Sequence, residues 1–222
     1  MNKVLVWDLP ERLFHWLLVV LVMISLVSAK IGGNAMQYHL LSGYTVLTLV
    51  LFRILWGFVG GNHARFSSFV RGPAAVIAYL RGLIRSRTGQ QHSHNPAGAW
   101  AVVLVLTMLL VQAGTGLFAN DDIAAEGPLA KLISKALSDR ITGFHHLNAK
   151  LLYGLFALHV SAMLFHFFYN RENLLKPIVT GYKEAAPGAK EAAQKPGNRW
   201  LAAVLFAACA GAVYLLIRLP AA

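Results

Sequence analysis

The sequence predicts an all-α integral membrane protein with five transmembrane helices. Of the 222 residues, 57% are hydrophobic and only 13% are charged, whereas a soluble domain carries about 25% charged residues. The apolar residues lie in five long blocks, and a helix needs about 20 such residues to cross a bilayer. A soluble globular protein is therefore excluded. We place the spans at residues 13–29, 36–58, 97–118, 144–169 and 200–219.

The first span has the features of a helix start. Asp8 can cap free backbone N–H groups, and Pro10 fits the first helical turn. A secretory signal peptide is the alternative, because Lys3 and Arg12 precede an apolar run that ends in small residues. We favour a retained span, since the run is long for a signal peptide and acidic residues dilute the basic start.

Spans one to four form one unit, and a linker separates the fifth. Residues 86–96 are polar and predict a loop, and residues 185–198 are rich in Ala, Gly, Pro, Lys and Glu, which is typical of a linker. We therefore divide the chain into a transmembrane bundle (1–181), a cytoplasmic linker (182–199) and a fifth transmembrane helix (200–222). Cys209 is the single cysteine, so no internal disulfide forms, and we interpret it as an ordinary small residue in an apolar helix.

Basic residues predict the orientation. The net charge of +11 would suggest nucleic acid in a soluble protein, but in a membrane protein basic loops stay on the cytoplasmic side. Arginines and lysines concentrate in residues 61–98 and 171–199, and Lys3 and Arg12 lie on the same side. We therefore predict a cytoplasmic N-terminus, an extracytoplasmic C-terminus and no nucleic-acid partner.

Histidines are the main candidates for a functional site. Ionisable side chains within a membrane are costly and are usually functional. Six of the nine histidines lie in or at the edges of spans: His15, His39, His145, His146, His159 and His166. The other three, His63, His92 and His94, lie in the basic loop, and we interpret them as solvated. A weak metal site at His92 and His94 is the alternative, although no third ligand is nearby.

The fourth span carries two histidines on one face. His145 and His159 are 14 residues apart, which corresponds to about 40° around the helix and about 21 Å along it. His146 lies about 140° from His159 and is expected to point elsewhere, towards the outer interface. His166 follows His159 by seven residues and lies about 20° from it, so it is a second candidate at the inner end.

Two stacked cofactors along this helix need partner ligands from other spans. His39 lies at the outer start of the second span, and His15 lies just inside the cytoplasmic start of the first. Haem iron with two axial histidines is six-coordinate, which suits electron transfer. We predict an outer haem between His39 and His145. An inner haem is predicted between His15 and His159, with His166 as the alternative to His159.

Other residues near these histidines are compatible with a haem. Gly43 lies one turn after His39 and would let a flat macrocycle approach the helix, although glycine equally lets helices pack on each other. Arg12 and Arg53 lie near the cytoplasmic surface, where a haem propionate needs a cationic partner. The alternative is that both arginines simply extend to the interface.

Four segments together resemble the bacterial cytochrome b561 family, close to the b-type cytochrome subunits of nickel–iron hydrogenases. They are VWDLPERLFHW (6–16), HLLSGYTVLTLVLFRILWGFVG (39–60), RFSSFVRGP (65–73) and HHLNAKLLYGLFALHVSAMLFH (145–166). The resemblance spans residues 6–181. It implies a four-helix bundle with two haem b groups and the axial ligands His15, His39, His145 and His159. By analogy it favours His159 over His166.

The resemblance also implies a function. Members of the family move electrons between quinone in the bacterial inner membrane and an extracytoplasmic partner, such as a periplasmic c-type cytochrome or a hydrogenase. We find no quinone motif, so the quinone site is unassigned. A cofactor-free membrane anchor of a periplasmic redox enzyme is the alternative, and direct reaction of the outer haem with a small oxidant such as superoxide is a variant. The fifth span departs from the simplest members and is expected to dock a partner helix or to place the C-terminus outside.

Overall fold

Five long apolar helices dominate the computed structural model, which describes residues 3–85, 95–123, 125–184 and 196–218. Each of the five is long and apolar enough to cross a membrane, which confirms the predicted number of spans within the described residues. The elements in chain order are β1 (Lys3–Leu5), α1 (Leu9–Ile31), a 3₁₀ turn (Gly33–Ala35), α2 (Met36–Val59), α3 (Phe66–Phe69), α4 (Pro73–Arg85), α5 (Pro96–Gly116), a 3₁₀ turn (Ala130–Leu132), α6 (Lys135–Phe168), α7 (Leu175–Thr180), β2 (Tyr182–Glu184) and α8 (Arg199–Arg218).

Helix starts follow capping residues. The Asp8 carboxylate accepts a hydrogen bond from the Glu11 N–H (2.9 Å), which confirms the predicted cap of α1. The fourth span differs from its prediction, because α6 begins at Lys135, nine residues before position 144. Ser134 caps this helix by accepting from the Leu137 N–H. The added turns are polar, so an assignment based on the apolar run alone could not include them.

α2 lies at the centre of the bundle. It packs against α1, α5 and α8, while α6 packs mainly against α5. α2 is the most buried of the five long helices, whereas α1 and α6 are largely exposed. The main apolar cluster joins three helices through Val46 and Val50 of α2, Leu106 and Leu109 of α5, and Leu152 of α6. The face of α6 that looks towards α1 and α2 is therefore only partly packed by protein.

α8 packs on α2 within the same chain. Ala202 and Cys209 of α8 are buried against Phe52 and Trp56 of α2. The thiol of Cys209 is free and buried, as expected for an ordinary small residue in an apolar helix. The fifth span thus contributes to the core of the described fold.

A buried ion pair joins the start of α1 to the end of α2. The Arg53 guanidinium donates to the Glu11 carboxylate at 3.0 Å, and the two side chains are only 3% and 1% exposed. Arg53 also donates to the carbonyl of Ala64 (3.1 Å). The expectation that Arg53 partners a haem propionate or extends to the interface is therefore wrong. Its partner is a carboxylate 42 residues earlier in the chain.

The N-terminal segment is tied to the same end of the bundle. β1 pairs antiparallel with β2, and Arg12 donates to the carbonyl of Val179 on α7. The Trp56 indole N–H donates to the Asp8 carboxylate (3.2 Å), and burial raises the pKa of that carboxyl above its usual value. These contacts build α1 into the folded protein, which favours a retained span over a cleaved signal peptide.

Candidate cofactor site

His39 of α2 and His145 of α6 lie next to each other in the half of the bundle that the sequence predicts to be the outer one. Their ring centres are 6.1 Å apart, and the ring planes are inclined at 83°. Two imidazoles that bind one metal ion from opposite sides, each through a nitrogen about 2.0–2.1 Å away, have ring centres about 6 Å apart. The observed separation therefore fits a shared metal ion, and any angle between the planes is compatible with it.

The two histidines are held by matching hydrogen bonds. The Nδ1 atom of His39 lies 3.0 Å from the carbonyl of Ser25 on α1, and Nδ1 of His145 lies 3.0 Å from the carbonyl of Gln112 on α5. A carbonyl can only accept, so each Nδ1 carries the proton and donates. Nε2 is then unprotonated, which is the form that binds a metal ion.

Side chains of α5 and α6 surround His145. The Gln112 amide N–H₂ donates to Nε2 of His145 (2.9 Å), which agrees with an unprotonated Nε2. Asn148 donates to the Gln112 side-chain carbonyl (2.7 Å) and to the backbone carbonyl of Met108 (2.9 Å). This network orients the ring and ties α6 to α5 beside the site. An iron bound at Nε2 of His145 would replace the Gln112 contact there.

A cavity of about 770 Å³ contains both histidines in its walls. This volume lies within the range of about 300–1,000 Å³ that is usual for cofactor and ligand sites. Gly43 lines the cavity, and an added Cβ there would meet no atom within 4 Å. At Gly116 an added Cβ would lie 3.1 Å from the His145 ring. The residues present therefore fit a haem, with open space beside Gly43 and a close approach behind His145.

The second predicted pair lies at the other end of the bundle. His15 of α1 is close enough to His159 of α6 for their charges to interact. The Nδ1 atom of His15 is buried and has no hydrogen-bond partner among the described residues. His159 is exposed in the protein chain alone. A buried ring nitrogen without a partner is costly, so His15 fits a bound group that would contact its ring.

His166 has protein partners on both ring nitrogens. It is 8% exposed, its Nε2 lies 3.4 Å from the Tyr79 hydroxyl, and its Nδ1 lies 3.1 Å from the Asn170 amide. The Glu172 carboxylate is also 3.4 Å from Nδ1. His166 is therefore buried among residues of α4 and of the segment after α6, whereas His159 is the α6 histidine that lies near His15.

The remaining histidines are placed differently. His146 is exposed and lines the outer cavity, with its ring centre 6.2 Å from that of His145. His63 is half-buried rather than fully solvated. His92 and His94 lie outside the described residues. Within the described part of the chain, no three His, Cys, Asp or Glu residues gather as a metal site.

Comparison with known proteins decides the family. A family model described as prokaryotic cytochrome b561 matches residues 6–181. The chain belongs to the prokaryotic cytochrome b561 family. No curated protein and no solved structure matches the chain.

Membership confirms the resemblance seen in the sequence. A cytochrome b561 is a membrane b-type cytochrome that transfers electrons. Haem b is therefore the cofactor with which the geometry of the two histidine pairs is compared. The cytochrome b561 match ends at residue 181, and α8 lies beyond it.

Four residues of this cytochrome b561 site were missed in the sequence: Ser25, Gln112, Thr115 and Asn148. The Ser25 and Thr115 hydroxyls lie 3.1 and 3.2 Å from Nδ1 of His39 and His145 respectively. The available signal was their polarity, because isolated polar residues within apolar spans tend to be functional. Helical spacing could not assign them. Ser25, Gln112 and Thr115 each contact a histidine on another helix, and Asn148 contacts Gln112 on α5.

Proposed function

We propose that this cytochrome b561 holds two haem b groups and carries electrons between quinone and an extracytoplasmic partner. The axial ligands are His39 and His145 for the outer haem, and His15 and His159 for the inner haem. The bundle (1–181) lies in the bacterial inner membrane with its N-terminus in the cytoplasm, and the fifth helix leads the C-terminus to the periplasm.

The observation that carries the proposal is the arrangement of His39 and His145. Two imidazoles from different helices, with ring centres 6.1 Å apart, each donate Nδ1–H to a main-chain carbonyl of a neighbouring helix. Both rings are thereby fixed with Nε2 free of a proton. A purely structural pair of histidines needs neither the matched tautomer nor the adjoining cavity.

The positions of the two pairs support transfer across the membrane. His145 and His159 are about 21 Å apart along α6, which is a large part of a hydrocarbon core of about 30 Å. Bound haem iron supplies a one-electron couple whose potential depends on ligation, burial and hydrogen bonding. The chain fixes the tautomers of the outer ligands and keeps the rings of both pairs in an apolar bundle.

The two redox reactants, quinone and the extracytoplasmic partner, are proposed on the basis of family membership. Quinone is the membrane-soluble reactant, and a periplasmic c-type cytochrome or a hydrogenase is the extracytoplasmic one. The test is reduction of the purified protein in liposomes by a quinol, followed in the visible spectrum. We expect the b-type bands to appear with quinol and to fade when an impermeant oxidant is added outside the outer face. Bands that a quinol never reduces, although dithionite does, would contradict the quinone assignment.

The inner ligand is tested by two replacements on α6. We expect His159→Leu to lose one haem, because His15 would be left without its partner. His166→Leu is expected to keep both haems, since His166 already contacts Tyr79 and Asn170. Haem per chain, measured after purification, gives the result. A haem lost only from the His166 variant would reverse the assignment.

A further inference from the structure

Three basic residues are among those that line the cavity beside His39 and His145. Lys30 lies near the end of α1, and His146 and Lys150 lie on α6. We refer to these three residues as the basic edge. His146 and Lys150 are four residues apart and therefore share one side of the helix.

Lys150 occupies an unusual depth for a lysine. It follows His145 by five residues, about 7.5 Å further along α6 and further from the outer end of the helix. Charged residues at such depth usually face a cavity or the bundle interior and have a function. Side chains of a helix lean towards its N-terminus, which for α6 is the outer end. The Lys150 ammonium is thereby directed back towards the level of His146.

The acids that line the same cavity are already engaged. The Asp121 carboxylate accepts from the backbone N–H groups of Ile123 (2.9 Å) and Ala125 (2.8 Å). Glu126 pairs with Lys131 at 3.9 Å.

The two lysines of the basic edge, in contrast, lack an acidic partner. Neither Lys30 nor Lys150 forms an ion pair with a residue that the structure describes. Lys135, near the start of α6, pairs with both Asp122 and Asp139. The basic edge therefore presents positive charge that no described carboxylate neutralises, and its chemistry suits an anionic group inside the cavity.

We propose that Lys150 binds a propionate carboxylate of the haem held between His39 and His145. This inference rests on the proposed function. Haem b carries two carboxylates, and a carboxylate in an apolar bundle needs a cationic hydrogen-bond donor. Lys150 is a positioning residue in this role, because it holds the edge of the macrocycle while the histidines hold the iron.

The test compares haem with its uncharged dimethyl ester. The full-length chain is produced without haem, loaded with either cofactor, and mixed with excess apomyoglobin, and the rate of haem transfer is measured. With natural haem, Lys150→Met is expected to speed loss from the outer site about tenfold, because a charge-assisted hydrogen bond is removed. Lys150→Arg should stay near the wild-type rate. Lys135→Met, a lysine on the same helix outside the cavity, is the matched control and should not differ from wild type.

The dimethyl ester shows whether Lys150 acts through a contact to the haem carboxylate or in another way. With the dimethyl ester, Lys150→Met and wild type are expected to lose the cofactor at the same rate. Equal rates with natural haem would overturn the proposal and would leave a lipid phosphate as the anion for Lys150. A Lys150→Met effect of the same size with both cofactors would also overturn it, because the lysine would then act through packing. Should Lys150→Met not accumulate, Lys150→Gln serves the same comparison.

The same assay separates this inference from the proposed function. His39→Leu identifies the kinetic phase of the outer haem, because that phase should vanish in the variant. If no phase vanishes, the assignment of the outer ligands fails. If the phase vanishes in His39→Leu but is unchanged in Lys150→Met, only the role of Lys150 fails.

Discussion

Replacing His39 or His145 with leucine is expected to remove one haem and to leave the other. The two imidazoles lie on opposite sides of one site, with ring centres 6.1 Å apart, so each variant leaves the iron with a single axial ligand. The inner pair is far along α6, about 21 Å from His145, and keeps both of its ligands. The purified variants should therefore contain about one haem per chain instead of two.

The control for this pair is His146→Leu. His146 is adjacent to His145, lines the same cavity and is exposed, but it is not one of the proposed ligands. This variant should keep both haems. Loss of both haems from either single ligand variant, or full retention in both, would contradict the assigned outer pair.

Glu11→Leu is expected to cause the largest loss of stability. The Glu11 carboxylate is the acidic partner of Arg53, and the two side chains are 1% and 3% exposed. Without Glu11, Arg53 stays buried without its ion-pair partner, which costs about 3–5 kcal/mol. We expect the free energy of unfolding, measured by titration with SDS and followed by far-UV circular dichroism, to fall by that amount.

The double variant Glu11→Leu/Arg53→Met is the matched control. Removal of both charges leaves Asp8 as the remaining buried carboxyl, which keeps its hydrogen bonds from the backbone N–H of residue 11 and from Trp56. Replacements of a buried ion pair by apolar residues are often neutral or stabilising. The double variant should therefore recover much of the stability that the single variant loses. A double variant that is less stable than Glu11→Leu would show that the pair is not the reason for the loss.

Local signals in the sequence predict the helices well. The five apolar blocks predicted the five spans. Asp8 and Pro10 predicted the start of α1, because capping and proline geometry act within a few residues. The start of α6 was missed, since Ser134 caps a polar extension that no hydrophobic pattern marks. Periodicity also placed His145 and His159 on one face of the helix, because a fixed rotation per residue aligns positions 14 apart. It left His166 on the same face as the alternative to His159.

Contacts between distant parts of the chain could not be predicted in the same way. The role of Arg53 depends on Glu11, 42 residues earlier, and on the way α1 packs against α2. The carbonyls that orient His39 and His145 belong to Ser25 and Gln112 on other helices. Main-chain carbonyls carry no sequence signal, so only the packed bundle reveals these hydrogen bonds.

The most direct test of the central claim is the haem-to-protein ratio of the purified full-length chain, measured together with its reduced-minus-oxidised spectrum. We predict b-type bands and about two haems per chain. A colourless protein would contradict this and would favour the cofactor-free anchor. Pigment that persists after both His145 and His159 are replaced would equally contradict it, because α6 would then supply no iron ligand.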